Sequence, residues 1–184
     1  GFSLKHTTRG NVTVKKGTLS KVINLRSEVA GCVYTNREMV KYAPQDCSAF
    51  GSKAEFKVID AVTKNGKHYL IIEAESPSGN TACNACGRCG ADGATSLIWV
   101  KLDSRLKLEA KKGILYSDCN TNTYPTENSE FNGTTYKFVK NEFRIETKGR
   151  DYASDGKYQI ILWKYSRNSP DKGFTVEKKT IVED

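Results

Sequence analysis

Phe56–Glu75, which reads FKVIDAVTKNGKHYLIIEAE, decides the fold class of this chain. Two apolar runs, Phe56 to Val62 and His68 to Ala74, flank the pair Asn65-Gly66. Asn-Gly between such runs marks a two-residue hairpin, because both turn residues tolerate positive φ. That loop predicts Ile59 opposite Ile72, Ala61 opposite Leu70 and Thr63 opposite His68. The other face then carries Val58 and Val62 with Ile71 and Tyr69. Both faces are partly apolar, so the hairpin is expected inside a sheet rather than at its edge.

The same pattern extends toward the C-terminus. Leu97–Leu102, Leu106–Ala110 and Gly113–Tyr116 read as strands joined by short charged turns. Thr135–Val139 and Phe143–Thr147 predict a second hairpin around Lys140–Glu142. Lys157–Tyr165 alternates with apolar residues on both sides, and Phe174, Val176 and Thr180–Val182 supply a last strand after a turn built on Pro170. Toward the N-terminus, Thr35 and Glu38 have capping-box spacing, which predicts one short helix over Asn36–Tyr42 before Pro44. Leu19, Val22 and Ile23 suit the start of another short helix, and Val12–Leu25 suits two strands nearly as well. The expected fold is mainly β: an antiparallel meander forming a β-sandwich or barrel, with at most one or two short helices near the N-terminus. One domain over residues 1–184 is expected, with a subdivision into 1–119 and 134–184 around a polar linker at 120–133.

Six cysteines, Cys32, Cys47, Cys83, Cys86, Cys89 and Cys119, ask for a separate explanation. Their even number, with few histidines to accompany them, favours disulfides formed in an oxidising compartment. The preferred pairs are Cys32 with Cys47 and Cys89 with Cys119, leaving Cys83 with Cys86. Closing the loop between Cys32 and Cys47 contributes about 3 kcal/mol in the chain-entropy model. The chain opens at Gly1, Met39 is its one methionine, and no leader pattern is present, as expected of a chain trimmed to its mature exported form and equally of a trimmed fragment of a cytosolic protein. No apolar stretch is long enough for a transmembrane span.

Other chemistries are weaker. Cys83, Cys86 and Cys89 form a double Cys-x-x-Cys, and with Cys119 they are an alternative zinc ligand set. That set lacks the second well-spaced pair of a structural site, so no metal or other cofactor is expected. Glycines rather than a helix follow the motif, which disfavours a redox-active thiol. His6, near a terminus expected to be loose, and His68, expected beside Thr63, are the only histidines available for a triad or general base. Glu73 with Glu75, and Glu142 with Glu146, are carboxylate pairs of the kind that glycoside hydrolysis uses, and of the kind any solvated sheet displays.

The net charge of +8 favours anionic partners. A nucleic-acid reading rests on Tyr136, Lys137, Phe138, Lys140, Phe143 and Arg144, followed by Lys157, Tyr158, Trp163, Lys164, Tyr165 and Arg167. Rings would stack bases while cations track phosphates; ordinary strand composition accounts for the same residues, so nucleic acid is disfavoured. No catalytic residue is assigned. The leading expectation is an exported (periplasmic or secreted) non-enzymatic binding protein, of the inhibitor or immunity type. It would engage another protein or an anionic envelope polymer through the cysteine-stapled loop Ser76–Ser96, with Asn84, Arg88 and Asp92 as contact residues. The alternatives are a carboxylate-dependent hydrolase of a saccharide or peptide, and a zinc-stabilised nucleic-acid-binding module.

Overall fold

The computed structural model describes residues 1–7, 10–29, 55–77, 93–118, 123–130, 136–150 and 157–182. These build three antiparallel sheets. The first contains β1 (Phe2–His6), β2 (Asn11–Lys16) and β3 (Leu19–Asn24), in that order. The second contains β4 (Glu55–Lys64), β5 (Lys67–Pro77), β6 (Gly93–Leu102) and β7 (Leu108–Asp118), again in sequence order. The third is ordered β11-β10-β9-β8, from β8 (Tyr124–Pro125), β9 (Glu142–Arg150), β10 (Tyr158–Ser166) and β11 (Thr175–Val182). The chain is mostly β, as its alternating runs require, and Val12–Leu25 resolves into strands rather than a helix. Among the described residues no helix is long and apolar enough to cross a membrane.

The second sheet is the central layer, because its strands are apolar on both faces. Leu70, Ile72, Ala74, Ile98, Val100 and Leu102 point to one side, where they pack against Val12, Val14 and Ile23 of the first sheet. Tyr69, Ile71, Leu97 and Trp99 point to the other, where they meet Phe143, Ile145, Tyr165 and Phe174. Each buried aliphatic or aromatic side chain contributes about 1.5–3 kcal/mol relative to exposure, and the central sheet supplies side chains to both cores. The deciding hairpin lies in this central sheet. Asn65 at φ 52 and Gly66 at φ 70 form its turn, with Ala61 opposite Leu70 and Thr63 opposite His68.

Four expectations change. A register shift between Val58 and Asp60 places Val58, not Ile59, opposite Ile72. The bulge turns the buried Asp60 toward the third sheet, where it finds a cation. The hairpin is only half interior: β5 lies within the sheet and β4 is its outermost strand. Residues 136–139 form no strand, although Lys140 and Asn141 do make a tight turn at φ 49 and 65. Tyr136 and Phe138 lay their rings against Phe143 instead, at 5.2 and 5.3 Å. The place beside β9 is taken by residues 124–130. Tyr124 pairs with Lys148, the Thr126 N–H donates to Glu146 O, and the Glu130 N–H donates to Arg144 O. Residues 124–130 thus form the edge of the third sheet beside β9. His6 ends strand β1, its ring 5.3 Å from Phe56, rather than lying loose. The helix expected over Asn36–Tyr42 lies outside the described residues.

Candidate functional site

A groove of about 570 Å³ runs between β3 and the turn that joins β6 to β7. Its walls are Lys21–Asn24 on one side and Asp103 with Arg105–Leu108 on the other. The turn is shaped by Asp103, whose Oδ1 accepts the backbone N–H groups of Arg105 and Lys107, each at 2.8 Å. Asp103 also closes the backbone: its N–H donates to Lys107 O at 2.9 Å, and its O accepts from Leu106 N at 3.0 Å. Leu106 is forced to φ 64 and buries its side chain completely. Those N–H donors, that of Lys107 foremost, hold the Asp103 carboxyl below its ordinary range. The one carboxylate of the groove is thereby engaged by its own loop. Lys21, Arg105 and Lys107 form no salt bridge among the described residues. Three cations against one occupied carboxylate make this wall electropositive.

Just after β3 the chain makes a short 3-10 turn, Arg26–Glu28. Lys111 Nζ donates to Asn24 O at 2.9 Å and to Ser27 Oγ at 2.7 Å, and Glu28 Oε2 accepts the Gly113 N–H at 2.6 Å. Glu28 thus engages the backbone of β7 at Gly113, while Leu108 lines the groove. Nothing in the sequence pattern singled out this groove. Asp103-Ser-Arg-Leu-Lys read only as a charged turn, though an Asp that leads a tight loop is itself a signal of such side-chain-to-backbone bonding.

Of the paired carboxylates, Glu142, Glu146 and Glu73 are each engaged by neighbouring side chains. Glu142 is bound by Lys164 and Arg144, each at 2.9 Å. Glu146 accepts from Thr126 Oγ1 at 2.7 Å and Asn128 Nδ2 at 2.9 Å. These partners lower both carboxyls below their ordinary values, Lys164 foremost for Glu142 and Asn128 for Glu146. A general acid needs the opposite shift. Glu73 takes the hydroxyl of Tyr136, and Glu75 lies opposite Glu55 at the strand end. His68 is buried; its Nδ1 is 2.9 Å from Thr63 Oγ1, and Lys16 Nζ lies 3.4 Å from both ring nitrogens. Burial first, and Lys16 second, lower its pKa.

The interleaved aromatic residues divide between core and surface. Phe143 and Tyr165 are completely buried, and Tyr136 and Phe138 pack against the same cluster, so none of the four presents a free face for bases. Tyr158 and Trp163 are partly exposed, with Lys148 and Lys112 at 4.5 and 5.7 Å from their ring centres.

The sequence-derived site residues Cys32, Cys47, Cys83, Cys86, Cys89, Cys119, Asn84, Arg88 and Asp92 all lie outside the described residues. Their flanking strands are described. Pro77 pairs with Gly93 and Ala94 with Asp118. Both ends of 78–92, and the residue before Cys119, therefore sit at one end of the central sheet. The groove opens at the other end, beside Leu102 and Leu108. No family model matches the chain, nor does any curated protein or solved structure, so its chemistry has to be read from these residues alone.

Proposed function

We propose that the chain is a non-enzymatic binding protein of an exported compartment, whose partner is another protein or an envelope polymer of acidic character. The observation that carries this reading is the groove between β3 and the Asp103–Lys107 turn, where Lys21, Arg105 and Lys107 stand without a salt bridge among the described residues. Partners of opposite sign gain association rate and register from such a wall, most strongly at low salt. The net charge of +8 adds long-range attraction. The cysteine-bearing stretch between Pro77 and Gly93 is the second contact surface of this reading, with Asn84, Arg88 and Asp92 on it.

Two measurements test it. Fluorescent polyglutamate and polyphosphate should bind the intact protein and weaken steeply between 50 and 200 mM salt. The pair Arg105→Glu with Lys107→Glu should weaken both by at least about tenfold; unchanged affinity overturns the reading. Alkylation without reductant, in denaturant with chelator, followed by intact mass, tests the compartment. Six unlabelled cysteines support export, and labelling of Cys83, Cys86, Cys89 and Cys119 overturns it in favour of a metal ligand set.

A further inference from the structure

We infer that the acidic partner is held as an extended strand added to the edge of β3 that has no strand partner among the described residues, filling the position above β7 that the first sheet leaves uncovered. This inference rests on the groove being an anion-binding site and adds how the partner is bound. The first sheet has three strands and the central sheet four. β1 packs beside β4 at one side, through His6 and Phe56. Counting across, no strand among the described residues lies over β7. The 3-10 turn Arg26–Glu28 covers β7 only around Gly113, and the stretch beside Leu108 faces the groove.

The edge of β3 is suited to pairing in ways that the edges at β4 and β11 are not. Among the described residues β3 pairs with β2 alone, in unbroken register from Asn11–Asn24 to Lys16–Leu19. Its residues Leu19 and Val22 are 42% and 62% exposed, side chains of the kind that an added strand shields. β4 by contrast is bent by its bulge at Val58–Asp60, and β11 carries the adjacent exposed lysines Lys178 and Lys179. Bulges and edge lysines are the common devices that prevent strand addition. Lys21 is the one lysine in β3, and it stands next to Arg105 and Lys107, where an acidic strand turns it from a deterrent into a contact. Strand addition takes its affinity from main-chain bonds and its selectivity from alternate side chains. The stretch Lys21–Asn24 offers room for a short strand, bounded where Lys111 already occupies Asn24 O.

Charge selects the occupant. The chain's own segment 30–54 carries Arg37, Lys41 and Lys53 against Glu38 and Asp46, so it brings no acidic excess to a cationic wall. A second copy, with net charge +8, is repelled. The remaining match is an extended acidic segment of a different protein.

The test compares an eight-residue peptide of alternating glutamate and valine with the same peptide N-methylated at alternate amides, using full-length protein. Expected is binding of the unmethylated peptide, slowed hydrogen exchange at the β3 amides, and at least tenfold weaker binding on methylation, with polyphosphate binding measured in parallel as the control. Equal binding of both peptides without β3 protection overturns strand addition and leaves the anionic reading intact. Failure of both peptides and of polyphosphate brings down the underlying reading as well. Concentration-dependent β3 protection without peptide, with dimers in sedimentation, makes a second copy the occupant and overturns the proposal.

Discussion

Arg167, just beyond β10, grips the carboxylate of Asp60 on β4: its Nε lies 3.1 and 3.2 Å from the two carboxylate oxygens, and its Nη2 2.8 Å from Oδ1. The guanidinium lies over the Phe138 ring, 3.8 Å from its centre. The pair ties the central sheet to the third sheet at the bulge, and Asp60 is almost fully buried. Removing the cation alone strands a buried carboxylate. Arg167→Met is therefore expected to destabilise by about 2–4 kcal/mol, toward the lower end because Arg167 is partly exposed. Arg167→Met combined with Asp60→Asn should cost less than Arg167→Met alone. Urea unfolding of the two single variants and the double variant measures the coupling, and strict additivity removes it.

Gly173 is required by two constraints at once. It stands at φ 60, and a Cβ there would meet Trp99 Cδ2 at 2.9 Å. Trp99 has little freedom to move, because its Nε1 donates to Pro170 O at 2.8 Å. Gly173→Ala should lower stability by about 2 kcal/mol or more from overpacking and backbone strain. Thermal unfolding followed by tryptophan fluorescence reads both the loss and the altered Trp99 environment. An unchanged midpoint shows that the ring yields.

Acid should weaken the fold in two steps. Burial lowers the pKa of His6, and burial with Lys16 lowers that of His68, from the ordinary 6.5. Below 6.5 the unfolded chain then binds protons that the folded chain refuses, so stability falls as pH drops toward the folded values. Above that range the two histidines contribute no slope. Glu142 and Glu146, lowered from 4.5, add a second decline below that value. Urea midpoints should drop between pH 7.5 and 5.5, and Lys16→Gln should lessen the drop without abolishing it. A flat profile across that interval shows that the histidines are indifferent to folding.

Alkali should reveal three protected tyrosines among the described residues. Burial raises the hydroxyls of Tyr116, Tyr136 and Tyr165 well above the ordinary value, helped by Glu73 for the first two and by Asp60 for the third. The unfolded chain releases those protons near 10, so stability declines as pH rises beyond that point. Ultraviolet titration should show them ionising only with unfolding, and Tyr136→Phe should remove one from the late group. Smooth ionisation of every tyrosine near 10 overturns the assignment.

Much of the fold was legible because strand alternation and turn chemistry are local. Asn65-Gly66 announces its turn by residue type, and Leu97–Leu102 and Lys157–Tyr165 announce strands by their apolar runs. The bulge escaped because Val58 and Ile59 are both apolar, so either can occupy the inward position. Only the polar Asp60 marked the change of parity. The segment 136–139 misled because Tyr136 and Phe138 have good strand propensity, which their packing against Phe143 overrides. The groove was least legible of all. It joins Lys21 to Arg105, which are brought together by the stacking of two sheets, and no periodicity reports a contact of that kind. The cysteines were conspicuous by composition, yet their spacing alone selects no pairing.

β6 runs as one ten-residue strand from Gly93 to Leu102, about 30 Å at the usual rise of about 3.3 Å per residue. The cysteine-bearing stretch departs from its first residue, and the cationic groove opens beyond its last. The point where residues 78–92 leave the central sheet and the cationic groove are therefore separated by about the length of that strand. An attachment made at the Pro77–Gly93 end of the sheet would leave the groove beside Leu108 untouched, so the residues proposed to recognise the partner stay accessible.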